Sequence, residues 1–139
     1  LHILIKFVKI NIWRTFMDIL DPHLSYVKGT SSTDLTISFR IQWSDDELDL
    51  RGRYMCKAIL YDADPGRDDE ILTRHFDHIE CDGHTREISI SHTFNVSNDT
   101  LNVDGRGHGR GTLKDEIYAK IYVTANFGIA TTNQISTQF

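Results

Sequence analysis

An all-β chain is what this sequence predicts: an antiparallel β-sandwich of about seven strands with an N-terminal helix. Three observations carry that expectation. From Leu24 onward, apolar and polar residues alternate through most of the chain, which is the period of a strand with one face buried. Stretches rich in Gly, Asp and Ser separate the alternating runs, and these residues make turns. The segment 1–20 breaks the pattern, because Leu1, Ile5, Val8, Ile12, Phe16 and Ile19 fall on one helical stripe.

Residues 1–20 are therefore expected to form an amphipathic helix, and residues 21–139 a β-sandwich domain. Lys6, Lys9, Arg14 and Asp18 interrupt the apolar run, so it does not read as a transmembrane segment. Nor does it show the ordered regions of a signal peptide. Basic residues are too few and scattered to favour a membrane surface. Packing on the domain, or a homodimer through the helix, is the preferred reading, and a natural start at Met17 is a third. Asp21-Pro22 ends the element, since the residue before a proline is pushed out of the helical region.

The strands follow in order. Leu24–Val27 is the first, and 34–43 the second, with Leu35, Ile37, Phe39, Ile41 and Trp43 on one face. In 53–62, Tyr54, Cys56, Ala58 and Leu60 share a face, and the other face is largely apolar too. The run 71–80 is ambiguous, because Ile71, Leu72, His75, Phe76 and Ile79 also make a helical stripe. A strand is preferred there, since its neighbours are strands and the chain is rich in β-branched residues. Segment 86–96 carries Ile88, Ile90, His92, Phe94 and Val96 on one face, and 116–125 carries Ile117, Ala119, Ile121 and Val123. The last strand, 129–138, places Ile129, Ile135 and Phe139 on one parity.

This number and spacing of strands resembles the immunoglobulin or fibronectin type III sandwich. The local resemblance is carried by Tyr118 to Asn126 followed by Gly128, a Tyr, alternating apolar residues and a turn. Lys120, Tyr122 and Thr124 lie in phase with Tyr118 and are poor core residues. The cysteine pair and core tryptophan of antibody domains are absent at their usual spacing. The resemblance implies an immunoglobulin-like fold and no particular function. Phe127 to Asn133 is similar to a stretch of fungal immunomodulatory proteins, which implies a dimer built on an N-terminal helix.

A chain of 139 residues makes one domain and buries a core without metals or disulfides. Its net charge of −5 argues against nucleic acid, which wants a basic surface. Cys56 and Cys81 permit one disulfide, but two separate buried thiols are preferred. Sequons begin at Asn95 and Asn98. They matter only in a secretory pathway, and neither a secreted nor a cytoplasmic location is fixed by the sequence.

An acidic loop followed by Asp-Glu-Ile and an alternating strand occurs twice, at 62–76 and 104–122. In an immunoglobulin-like topology the two loops share an end. Asp62, Asp64, Asp68, Asp69, Asp104, Asp115 and Glu116 are then candidate ligands for Ca²⁺, which takes 6–8 oxygens. The stretch Tyr61 to Asp69 resembles the acidic loop of C2-type sandwiches. The plainer reading is that Asp, Gly and Pro are turn formers. His75, His78, Cys81 and His84 recur every third residue. That spacing suits Zn²⁺ on a helix but scatters the ligands over both faces of a strand. His92 is read as a core histidine, Trp43 as a residue closing the core, and the Gly-Arg-His run 105–111 as a loop.

The function expected is a non-enzymatic binding or structural module that recognises a protein or carbohydrate surface through its loops. A Ca²⁺-dependent C2-like sandwich is the first alternative. A small hydrolase or metal enzyme using the histidine-rich segment is the second.

Overall fold

The computed structural model describes residues 6–7, 17–64, 66–102, 115–123 and 128–139. The elements, in order, are β1 (Lys6–Phe7), β2 (Asp18–Lys28), β3 (Ser32–Gln42), α1 (Asp45–Leu50), β4 (Arg53–Tyr54), β5 (Cys56–Asp62), β6 (Asp69–His75), β7 (Ile79–Glu80), β8 (Glu87–Ser97), α2 (Asn98–Leu101), β9 (Asp115–Val123), β10 (Gly128–Thr131) and β11 (Ile135–Thr137). The all-β expectation holds, and every strand pair is antiparallel.

Two main sheets enclose the core. One has the order β2-β3-β8, and the other β1-β10-β9-β5-β6, with β11 also paired to β9. β10 and β11 both run along β9, through Thr131↔Lys120 and Ile135↔Ile117. They thus share one side of β9 as a single line interrupted at residues 132–134. A third, two-stranded sheet of β4 and β7 adds Tyr54 and Ile79 to the buried residues, Tyr54 packing on Trp43; Trp43, Tyr54, Ile79 and Cys81 are 1–4% exposed.

Alternation decides which side faces in. Leu35, Ile37, Phe39 and Ile41 of β3 are at most 2% exposed, as are Ala58 and Leu60 of β5 and Ile117, Ala119, Ile121 and Val123 of β9. Burying one such side chain contributes roughly 1.5–3 kcal/mol, so these three central strands dominate the apolar stabilisation. One cluster of buried apolar residues runs between the sheets, giving the arrangement its sandwich-like character.

The helix expected over residues 1–20 is not found where that segment is described. Lys6 and Phe7 pair with Ile129 and Gly128 in β1, and β2 begins at Asp18. Met17 and Ile19 are buried at 1% and 2% exposure. Their spacing of two fits a strand face, whereas only Ile19 of the pair lies on the helical stripe, and the ladder to β3 decides for the strand. The remaining positions of the expected helix lie outside the described residues. Asp21-Pro22 does not end an element either. It forms a bulge within β2, between Leu20 and His23, with Asp21 at φ 50°. Proline lacks the ladder donor, and aspartate tolerates the left-handed region better than most residues.

The ambiguous run 71–80 is a strand over Asp69–His75, then a link to β7. α1 was not expected. Ser44 caps it in a capping box with Glu47, and Ser44-Asp45-Asp46-Glu47 is the sequence signature of that motif. Two further polar clasps hold the sandwich. Asn133 bonds the backbone of Leu24 through both side-chain atoms, joining the edges of the two main sheets. Asn98, 9% exposed, accepts from the Thr33 hydroxyl at 2.6 Å and donates to the Gly29 carbonyl at 3.1 Å, closing the β2–β3 turn.

Candidate functional site

The acidic end of the second sheet is built by pairing. β5 runs up to Asp62, whose neighbours across the ladders are Asp69 on β6 and Ile117 on β9. The Ala63 N–H donates to the Glu116 carbonyl at 2.7 Å. The β5–β6 connection and the start of β9 therefore lie at one end. The carboxylates there do not converge. Asp62 is wholly buried on the core side. Asp68 accepts from the Asp64 N–H at 3.2 Å and from the Tyr118 hydroxyl at 2.5 Å. Asp69 faces Arg67 at 3.9 Å, with both side chains exposed. Glu116 is exposed. Asp104 and the side chain of Asp115 lie outside the described residues. Among the described residues, no three Asp, Glu, His or Cys side chains are grouped to hold a metal ion.

The histidines are spread out. His75 closes β6, His78 lies in the link to β7, and His84 lies in the turn after it, all exposed. Cys81 is buried, and its thiol donates to the Glu47 carbonyl at 3.4 Å. Cys56 and Cys81 are both free thiols. Burial pushes Cys56 up to about 12. His92 is half-buried between Phe76 and Phe94, with ring centroids 4.8 and 5.9 Å away. It shares the wall of a groove of about 240 Å³ with Asp77, His78 and Glu80. Among the described residues, no imidazole hydrogen-bonds a carboxylate. Trp43 is buried against Tyr54 at 4.9 Å, as a residue closing the core.

The sequence reading missed the outer face of β6, β5 and β9. The registers lay it out in rows. Tyr118, Tyr61 and Glu70 make the first, Lys120, Ile59 and Thr73 the second, and Tyr122, Lys57 and His75 the third. A bulge between Leu60 and Tyr61 sets Glu70, not Ile71, beside Tyr61. Tyr61 and Tyr118 stack at 5.4 Å and 17°. The Lys120 ammonium lies 5.0 Å from the Tyr61 centroid, and that of Lys57 lies 5.5 Å from Tyr122. Both fall within cation–π range.

Burial pushes the Tyr61 hydroxyl up to about 12, helped by Tyr122 and Glu70. Tyr118 is raised in the same direction, first by burial and then by its bond to Asp68. The signal was present in the sequence, as the tyrosines and lysines occupying the off-core phase of two central strands. Only the register shows that they meet.

No known protein family matches the chain, and no curated protein does either. Among the described residues, no helix is long and apolar enough to cross a membrane.

Proposed function

We propose that the chain is an immunoglobulin-like sandwich of the fibronectin type III kind, and that it acts as a non-enzymatic binding module for a protein surface. Strand order supports the fold. If β2, β3, β5, β6, β8, β9 and the combined β10–β11 edge are taken as seven successive strands, the first, second and fifth form one sheet. The fourth, third, sixth and seventh form the other, in that order. This is how fibronectin type III sandwiches are laid out, and the architecture alone carries no function.

The observation that carries the binding reading is the face holding the half-buried Tyr61, Tyr122, Lys57 and Lys120 on paired strands, with Tyr118 buried beside Tyr61 at 6% exposed. Tyrosine is enriched where proteins meet, since its ring supplies apolar area and its hydroxyl a hydrogen bond. The recognising surface is then a sheet face rather than the loops. A photo-crosslinking residue placed at Ile59 tests this against one at Ser38, on the other sheet. Capture of the same protein species from Ile59 and not from Ser38 is the expected result. Equal capture from both would remove the reading, and capture of glycan alone would replace the protein partner with a carbohydrate.

A cation at the acidic end is the second reading. Its support is the shared end fixed by the Ala63–Glu116 bond. Melting with Ca²⁺ and with chelator tests it. A Ca²⁺ level 100 times Kd adds about 2.7 kcal/mol to a folded state that binds it, so an unmoved Tm ends this reading.

A further inference from the structure

We infer that the tyrosine–lysine face takes a short acidic peptide segment, its carboxylates meeting Lys57 and Lys120 and its apolar side chains lying along Ile59, Tyr61 and Tyr122. This rests on the reading of that face as the binding surface, and it adds the chemical class of the partner.

Charge complementarity carries the argument. Arg40, Arg53, Arg67 and Arg86 each face a carboxylate within 4 Å, whereas among the described residues Lys28, Arg51 and Arg74 do not, and none of these three shares a face with a second cation on a neighbouring middle strand. Lys57 and Lys120 form no ion pair among the described residues. They lie on the middle strands of a chain whose net charge is −5. Each ammonium is instead held over a tyrosine ring. A cation–π contact positions the charge without neutralising it. The ammonium groups therefore stay available to an anion, and less side-chain freedom is lost when one binds.

Neighbouring carboxylates are engaged or distant. Asp68 accepts from Tyr118, and Glu70 accepts from Thr73 at 3.2 Å. Glu116 lies two residues beyond Tyr118, at the acidic end of the sheet. His75 flanks Lys57 on the other side.

The same layout limits the length of the partner. A long polyanion crossing the whole face would run over Asp68, Glu70 and Glu116 and meet the chain's overall negative charge. A peptide of a few residues, extended like the strands beneath it, covers the two lysines and stops short of them. Every second side chain of such a peptide faces the sheet, so acidic and apolar residues taking turns at those positions match the rings and ammonium groups below.

The test uses the full chain, labelled for NMR, and two blocked hexapeptides with Ser at every second position, one carrying Glu, Leu and Glu between the serines, the other Lys, Leu and Lys. The acidic peptide is expected to shift the amides of β5 and β9. Its affinity should fall at least about tenfold in the K57Q/K120Q double variant, and several-fold on raising salt. Both lysines are half-buried, and an unchanged Tm would establish that the variant is folded.

Equal or tighter binding of the basic peptide overturns the inference, as does acidic-peptide binding that the double variant leaves intact. A sulfated polysaccharide binding the same face more tightly than the acidic peptide also overturns it. If neither peptide binds while crosslinking from Ile59 still captures a protein, the acidic class fails and the face survives. If the Ile59 crosslinker captures nothing, the face reading itself fails.

Discussion

Asn133 pairs its side-chain amide with the backbone of Leu24, accepting the N–H at 2.6 Å and donating to the carbonyl at 3.0 Å. The amide does the work of a strand residue at the seam where β2 meets the β10–β11 edge. Asn133→Ala leaves both backbone groups of a buried residue without this partner, at a cost of about 1–3 kcal/mol. Asn133→Asp should cost at least as much, because a carboxylate oxygen then confronts the Leu24 carbonyl. Urea unfolding measures both, and a midpoint within error of wild type for the alanine variant would show that the seam closes without the clasp.

Glu47 is a clasp of another kind. Its carboxylate is 3% exposed and accepts the Met17 N–H at 2.9 Å and the Ser44 N–H at 2.7 Å. It also accepts the Ser44 hydroxyl. One side chain thus ties the start of β2 to the cap of α1. Glu47→Ala should destabilise by about 3 kcal/mol or more, since three buried donors lose their acceptor. Glu47→Gln, with one acceptor oxygen in place of two, should fall between. Chemical denaturation of the three proteins gives the order, and equal stability of all three would contradict it.

Alkaline pH should unfold this chain early. Cys56 and Tyr61 are both raised to about 12, and Tyr118 is raised as well, chiefly by burial. The folded state then keeps protons that the unfolded state releases near its ordinary values, about 8.5 for Cys and 10 for Tyr. Stability is therefore full below about pH 8.5 and is lost as pH rises toward 12. Urea midpoints measured from neutral pH upward should fall across that window. Tyr61→Phe should lessen the fall, and a flat profile would mean the burial seen for these groups does not hold in solution.

At the acid end, the turn after β7 supplies a local reporter. The Asp82 carboxylate accepts the backbone N–H groups of Thr85 and His84, and the Thr85 hydroxyl, which lowers it to about 2. A depressed carboxylate contributes stability above its unfolded value of about 3.9, and that contribution is lost as pH falls through about 2. A carbon-13 titration should show the Asp82 carboxylate protonating only as pH falls toward about 2. A midpoint at the ordinary aspartate value of about 3.9 would remove the turn's hydrogen bonds as a cause.

The strand plan was legible because alternation is a strong signal where one face is dry. Leu35 to Ile41 and Ile117 to Val123 could be read directly, and both are core. The N-terminal segment misled because Met17 and Ile19 serve a strand, while a helical stripe runs through neighbours of the same composition. The run after Asp69 was ambiguous because the bulge opposite Leu60 and Tyr61 breaks strict alternation. α1 went unread although Ser44 and Glu47 carry its signature. The acidic residues stood out by type, but a cluster in sequence is not one in space: Asp62 turns inward and Asp68 goes to Tyr118. The tyrosine–lysine face could not be read from one strand at a time, because it exists only in the register between strands.

Asn98 closes the β2–β3 turn through Thr33 and Gly29, and it also begins a sequon. With 9% of its surface exposed, the folded site has no room for a sugar on Nδ2. In a secretory host the two uses of this amide exclude each other. A chain glycosylated at Asn98 cannot close the turn, whereas Asn95, three residues earlier, uses its amide only in solvent-exposed hydrogen bonds to Ser32 and Asp34. Glycan occupancy at Asn98 would therefore mark chains that have failed to fold.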